Sequence, residues 1–185
     1  MESNNRIYLR AFEPEDYKTC VVWHNDDEIW SMLGGRKYFV SSAYEKKWVE
    51  DTIFSGKDVK LAVCLKENDL HIGNVYLTDI DYVNRSAISH VLIGNKAYWG
   101  NGYASEATNL LLKYAFDELG LHRISAQVLE SNTGSLRMHK KCGYIEEGVL
   151  RDSVWKNGRF QNQVILSITD SDFSKHRNEL GGVNP

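Results

Sequence analysis

Two glycines one residue apart, Gly100 and Gly102, stand in the string Tyr98-Trp99-Gly100-Asn101-Gly102-Tyr103-Ala104-Ser105-Glu106-Ala107. The string follows an apolar run, Val91-Leu92-Ile93, and opens a long apolar helical pattern from Tyr103 to Leu119. Without a Cβ, each glycine lets the backbone turn sharply and come close to a ligand. A helix that starts at such a turn leaves its first N–H groups unpaired, beside the positive end of its dipole. That combination binds anions and suits phosphate. A bare Gly-x-Gly also serves as an ordinary strand-to-helix turn. The third glycine of a dinucleotide fingerprint is absent, and so is the Gly-Lys-Ser/Thr ending of an NTPase phosphate loop.

A second group lies about thirty residues on. Asn132, Ser135 and His139 fall at i, i+3 and i+7 of a short basic helical stretch, Thr133 to Lys141, so they can share one face. Asn132 is physically a good helix N-cap. His139 and Cys142 have zinc-like spacing, but no second ligand pair is evident, and no metal site is expected. A third group, Trp23, Asn25, Asp26 and Glu28, closes a helix in a polar, acidic patch. Capping of that helix terminus is one reading of it.

These groups need a scaffold, and 185 residues supply one domain that buries about 70% of its unfolded surface. With 42% hydrophobic and 25% charged residues the composition is ordinary for a globular chain. A net charge of −3 gives no general attraction to nucleic acid or to an acidic membrane, and sits more easily with a cationic amine acceptor. Cys20, Cys64 and Cys142 are odd in number and form no close pair. They read as buried reduced thiols in a cytoplasmic protein. No apolar run approaches a membrane span, and Met1-Glu2-Ser3-Asn4-Asn5 has no signal-peptide pattern.

Along the chain, Ile7 to Phe12 alternates as a first strand, and Glu13-Pro14-Glu15-Asp16 starts a helix that runs to about Trp23. A loop with Gly34-Gly35 follows. Ser42-Ala43-Tyr44-Glu45 is a capping-box signature for a second helix through about Phe54. Strands are expected over Val59 to Leu65, Ile72 to Ile80, Ala87 to Ile93 and Ile124 to Leu129. The Tyr103 to Leu119 helix has a wide apolar arc and must lie flat on the sheet. Val149 to Trp155 and Arg159 to Ile168 flank Asn157-Gly158, the strongest hairpin signal present.

The glycine string resembles the acyl-CoA pyrophosphate loop of the GNAT N-acetyltransferases. It is closest to the branch of ribosomal-protein and spermidine acetyltransferases, where Tyr-Trp-Gly-Lys-Gly-Tyr-Ala-Thr-Glu-Ala is common. Two further strings agree in the same order. One is Glu130-Ser131-Asn132-Thr133-Gly134-Ser135 followed by Lys141-Cys142-Gly143-Tyr144; the other is Glu146-Glu147-Gly148 followed by Asn157-Gly158-Arg159-Phe160-Gln161-Asn162. The resemblance implies a single α+β domain over residues 1–176, with 177–185 a frayed tail. Its central sheet would be mixed and mostly antiparallel, splayed between the fourth and fifth strands and flanked by about four helices.

The resemblance also implies acetyl-CoA as co-substrate. Its pyrophosphate would lie on the N–H groups of Gly100, Asn101, Gly102, Tyr103 and Ala104, its pantetheine along Leu92, Ile93 and Gly94, and its arm on Asn132. Arg137, Lys140 and Lys141 would lie near the 3′-phosphate. Ala97 stands where an Arg or Gln is often found, and Asn101 where a Lys is common. Both departures remove side-chain contacts and leave the backbone cradle intact. Ribosomal-protein relatives carry a Ser three residues after the Asn, matched by Ser135, and polyamine relatives carry a Tyr where His139 stands. These two are the general-acid candidates, Ser135 first. Where many relatives have a Glu on the fourth strand, this chain has Ile88, with Ser89 and His90 beside it. Trp23, Asn25, Asp26 and Glu28 resemble an acceptor-region segment of amino-sugar acetylating relatives.

The expected activity is therefore direct transfer of acetyl from acetyl-CoA to a primary amine, on a peptide or protein N-terminus or an amino sugar. A spermidine-like polyamine acceptor, a CoA-binding sensor module without catalysis, and a longer acyl-CoA are the alternatives. The partner is a small-molecule or peptide amine, with neither nucleic acid nor membrane, and a homodimer is left open.

Overall fold

A computed structural model describes residues 5–35, 37 and 39–181, with side chains through residue 179. Seven strands form one sheet: β1 (Ile7–Ala11), β2 (Val59–Leu65), β3 (His71–Asp81), β4 (Ser86–Ile93), β5 (Arg123–Leu129), β6 (Ile145–Lys156) and β7 (Arg159–Thr169). Their spatial order is β1-β2-β3-β4-β5-β7-β6. Every neighbouring pair is antiparallel except β4 and β5. The helices are α1 (Tyr17–His24), α2 (Asp27–Met32), α3 (Ser42–Ser55), α4 (Tyr103–Lys113), α5 (Thr133–Lys141) and α6 (Asp170–Gly181).

Both faces of the sheet are covered. Ala107, Leu111 and Leu112 of α4, with Ala115 just beyond it, are buried in one cluster with Val63, Val75, Ile124 and Leu166 of the sheet. This is the flat packing that the wide apolar arc requires. The opposite face carries a smaller aromatic cluster that includes Phe12, just after β1, with Trp23 of α1 and Val49 and Trp48 of α3. Asn157 and Gly158 both take positive φ, 53° and 75°, so the β6–β7 hairpin turns where the Asn-Gly signal placed it.

Some boundaries differ from the sequence reading, each for a local reason. Six α-helices are present among the described residues, where about four were expected. The helix that sequence reading missed after α1 is α2. Asp26 caps it by accepting from the N–H groups of Glu28 and Ile29, with Asp27 and Glu28 in its first turn. The cap of α3 is Ser41, not Ser42: its side chain accepts from Tyr44 N. Glu45 is therefore no capping-box partner. It is buried, with its carboxylate 2.9 Å from His24 Nδ1. The long helical pattern after Tyr103 widens to a π-turn over Tyr114–Glu118. Residues 177–181 continue α6 where a frayed tail was expected, and Arg177 Nη1 reaches Asp117 Oδ2 at 2.8 Å. Residues 182–185 lie outside the described residues.

The β4–β5 ladder is short. Only Ser86, Ala87 and Ile88 find partners, on Arg123, Ile124 and Ser125. Beyond Ile88 the two strands part, as the expected splay requires. β4 meanwhile stays paired with β3 as far as Ile93. Behind its end, Trp23 fills the space over Gly94: a Cβ there would lie 2.0 Å from Trp23 Cδ2.

Gly94→Ala should therefore force either Trp23 or the strand end to move, at a cost of about 1–3 kcal/mol for overpacking. Thermal melting of the variant should fall by about 2–4 °C per kcal/mol. An unchanged melting temperature would show that Trp23 is not fixed against the strand.

Candidate active site

Along the end of β4, past the point where it leaves β5, lies a cavity of about 660 Å³. Val91, Leu92 and Ile93 of β4 form one wall, Ile29, Met32 and Leu33 of the α2 region another, and the cap Asn132 with Ser135, Arg137, Met138 and Lys141 of α5 a third. Its far end is the turn before α4, with Gly100, Gly102, Tyr103, Ala104 and Ser105 at the lining. Gly100 and Gly102 sit at φ 74° and 86°, in the left-handed region that most side chains avoid. Gly102 is the N-cap of α4, with no side chain to satisfy the first N–H groups. An anion at this turn would meet backbone donors and the helix dipole together. The residues present thus fit a pyrophosphate. Trp99 braces the turn against the strand by donating from Nε1 to the Ile93 carbonyl at 2.6 Å.

Arg137 and Lys141 line the cavity, whereas Lys140 pairs with Glu146 at 2.8 Å. Among the described residues no carboxylate lines the cavity. Leu92 and Ile93 line it. Gly94 does not: it packs on Trp23, and its N–H donates to the Ile72 carbonyl at 2.9 Å.

On α5 the three residues that share a face have separate surroundings. Asn132 caps the helix, its Oδ1 accepting from Ser135 N at 3.0 Å, and its Nδ2 donates to the Met32 carbonyl at 3.0 Å. It thereby ties α5 to the end of α2. Ser135 lines the cavity. His139 is only 3% exposed and turns inward, edge-on to Tyr144 with ring centroids 5.0 Å apart. Its Nδ1 lies 2.9 Å from the Ser135 carbonyl and 3.3 Å from Ser135 Oγ. The shorter contact to a pure acceptor puts the proton on Nδ1. Burial pushes His139 below the ordinary imidazole range, so the ring is neutral at neutral pH.

The acceptor-side candidates do not gather in the cavity. Trp23 is a core residue, 6% exposed. Asn25 staples the chain, its Nδ2 donating to the carbonyls of Val21 and Val40 at 2.8 Å each and its Oδ1 accepting from Val40 N at 3.1 Å. Glu28 and Asp26 both hold Lys96 Nζ, at 2.9 and 2.8 Å, on the surface. A larger groove, about 820 Å³, lies on the other side of α2 and is lined by Asp27, Trp30, Lys37, Trp155 and Lys156 among others. It has neither the parted strands nor the glycine turn. Lys156 is buried there and donates to the Leu33 and Gly35 carbonyls, and Lys37 pairs with Asp27.

Sequence reading missed Ile29, Met32 and Leu33 as wall residues, because α2 went unread; the run Asp26-Asp27-Glu28 was its start signal. It named Ser89 and Tyr144 but did not pair them. Ser89 Oγ donates to the Ser125 carbonyl at 3.2 Å and lies 2.8 Å from the Tyr144 hydroxyl, at the point where the strands part. No local pattern marks such a pair. Among the described residues there is no metal-binding cluster, and no helix is long and apolar enough to cross a membrane.

Comparison with known proteins agrees with this geometry. Residues 6–145 match the acetyltransferase (GNAT) domain family. A probable N-acetyltransferase of Bacillus subtilis, YjcK, is 30% identical over 93% of this chain and 98% of its own length. The uncharacterized N-acetyltransferase YoaA of the same organism is 41% identical over 89% of this chain and 93% of its own. The crystal structure of spermidine N-acetyltransferase from Vibrio cholerae in complex with CoA and spermine superposes with a TM-score of 0.85. It is 28% identical, covering 92% of this chain and 99% of that one. The chain belongs to the GNAT acetyltransferases and is an acetyl-CoA-dependent N-acetyltransferase.

Proposed function

We propose that acetyl-CoA lies along the parted edge of β4 with its pyrophosphate on the turn before α4, and that the acceptor is an α-amine or an amino sugar. The observation that carries the first half is the continuity of one cavity from Val91–Ile93 to Gly102. The amine nitrogen attacks the thioester carbonyl carbon, the carbon–sulfur bond breaks, and the amine's extra proton passes to solvent. Holding the two reactants in attack geometry supplies about 7–11 kcal/mol of the barrier. Backbone N–H groups beside the parted strand polarise the carbonyl.

The second half rests on charge. A lysine-like amine near pKa 10.4 is free to less than about one part in a thousand at neutral pH, whereas an α-amine near 7.7–8.0 is free in appreciable part. The former needs a base, and the cavity offers no carboxylate among the described residues. Its cations, Arg137 and Lys141, also oppose a polycation. Spermidine remains the second reading, favoured by the structural likeness to the Vibrio cholerae enzyme.

Ser135 gives its hydroxyl proton to the departing sulfur and regains one from the solvent that took the amine's. It lines the cavity, and because His139 Nδ1–H is held by the Ser135 carbonyl, the Ser135 hydroxyl proton is left to point elsewhere. His139 is thereby a support for Ser135, not the acid.

Three outcomes follow. Gly102→Val places a β-branched residue at φ 86° and should lower CoA affinity at least tenfold by calorimetry. Asn101→Ala should change it less than threefold. CoA binding by Gly102→Val at wild-type strength would sink the loop assignment. Ser135→Ala should lower kcat toward the low end of the roughly 10²–10⁴-fold range for general acids. A loss of tenfold or more in His139→Phe with full activity in Ser135→Ala would move the role to His139. Finally, thiol release measured over peptide N-termini, amino sugars, aminoglycosides and polyamines should give the highest kcat/KM with an α-amine or amino sugar, and spermidine ranking first would refute the acceptor reading.

A further inference from the structure

Glu106 places a carboxylate in the first turn of α4, the turn whose N–H groups face the proposed pyrophosphate. On its own that charge would oppose an anion. Arg6, from the segment before β1, covers it. Arg6 Nε and Nη2 donate to Glu106 Oε2 at 3.1 and 3.0 Å, and the Arg6 main-chain N–H donates to Glu106 Oε1 at 2.5 Å. The same Nη2 donates to the Asn101 carbonyl at 3.0 Å, and the guanidinium stacks 4.0 Å from the centre of the Tyr103 ring.

The bond to Asn101 has a geometric consequence. A trans peptide unit is planar, with its C=O and N–H pointing in opposite directions. Fixing the Asn101 oxygen toward Arg6 therefore fixes the Gly102 N–H away from it. Gly102 sits at φ 86° and, as glycine, could adopt negative φ as readily. The Asn101–Gly102 peptide is thus free to turn over unless something holds it. Turned over, it would present a carbonyl oxygen in place of a donor.

We infer that Arg6 is a positioning residue for the CoA pyrophosphate: it locks the Asn101–Gly102 peptide with its N–H available to the anion and neutralises Glu106 beneath. This rests on the proposed placement of the pyrophosphate at this turn. Arg6 acts through the backbone and touches neither the thioester nor the amine. The stacking on Tyr103 and the planar fork are properties of arginine that lysine reproduces only in charge.

The test uses the full chain and two probes, CoA and pantetheine, the second lacking pyrophosphate and 3′-phosphate. Dissociation constants come from amide NMR titration, which also follows the Gly102 resonance. Arg6→Gln should weaken CoA about tenfold, the scale of lost hydrogen bonds to a charged group, and leave pantetheine within twofold. The Gly102 amide should shift on CoA addition in the wild type and lose most of that shift in Arg6→Gln. Arg6→Lys should recover part of the affinity. The main-chain bond from residue 6 to Glu106 persists in both variants, which keeps β1 docked and the fold intact. Equal weakening of CoA and pantetheine would overturn the inference, since that is general damage. So would unaltered CoA binding in Arg6→Gln while Gly102→Val loses it. If both variants bind CoA as the wild type does, the loop placement itself falls, and the inference with it.

Discussion

The structure depends on a hydrogen-bond ladder that stops early. β4 and β5 share only the pairs at Ser86, Ala87 and Ile88, and then diverge inside a covered sheet. Buried backbone groups without partners are costly, so a gap of this kind persists only where something else satisfies or encloses it. At its base the hydroxyl of Ser89 bridges to the Ser125 carbonyl, and the Tyr144 hydroxyl joins it at 2.8 Å. The polar side chains thus take over from the ladder at the place where it ends. Above them β4 has no β5 partner, and Val91, Leu92 and Ile93 line the cavity there.

The divergence also needs a rigid β4, because a strand with one free edge can drift. Two tryptophans supply the stiffness from opposite directions. Trp23 lies against Gly94 with no room for a Cβ, and Trp99 anchors the glycine turn to the Ile93 carbonyl. Trp23 reaches the strand end only because α1 is held down by the buried aromatic cluster beneath it. The same helix carries His24, whose Nδ1 meets the buried Glu45 of α3. Trp23, chosen from sequence as an acceptor-side residue, therefore packs behind the strand that walls the cavity.

This explains what was legible in the sequence and what was not. The glycine turn, the Asn-Gly hairpin and the apolar arc of α4 are written in adjacent residues with fixed periods, and the structure places them where those periods require. Asn132 was read both as a cap and as a ligand contact; its Oδ1 does cap α5, and its Nδ2 is occupied by the Met32 carbonyl. Arg6 and Glu106 lie 100 residues apart, and Ser89 and Tyr144 lie 55 apart. Pairs at such separations leave no local pattern. Helix α2 was overlooked because its six residues are too few for an apolar period to emerge from a loop. Burial of His139 was hidden by the basic character of α5: the helix ends in three consecutive basic residues, of which the first faces inward and the other two outward.

Net charge proved the least informative quantity, for a physical reason. A total of −3 favours a cationic partner only if the excess acid stands near the site. Here much of it is consumed elsewhere. Asp16 is gripped by Arg10 at 2.7 and 2.8 Å, which holds its carboxyl well below the usual range. Arg123 and Ser167 hold Glu147 down to about 2, and Asp26 and Glu28 are bound to Lys96. Each such carboxylate has a cation within a few ångströms, and at physiological ionic strength fields between exposed charges fade over about 8 Å. What a ligand in the cavity meets is the local set: helix N–H groups, Arg137 and Lys141, with no acid among the described residues. On the proposed reading, that set suits the phosphates of the donor and offers no base to a strongly basic acceptor.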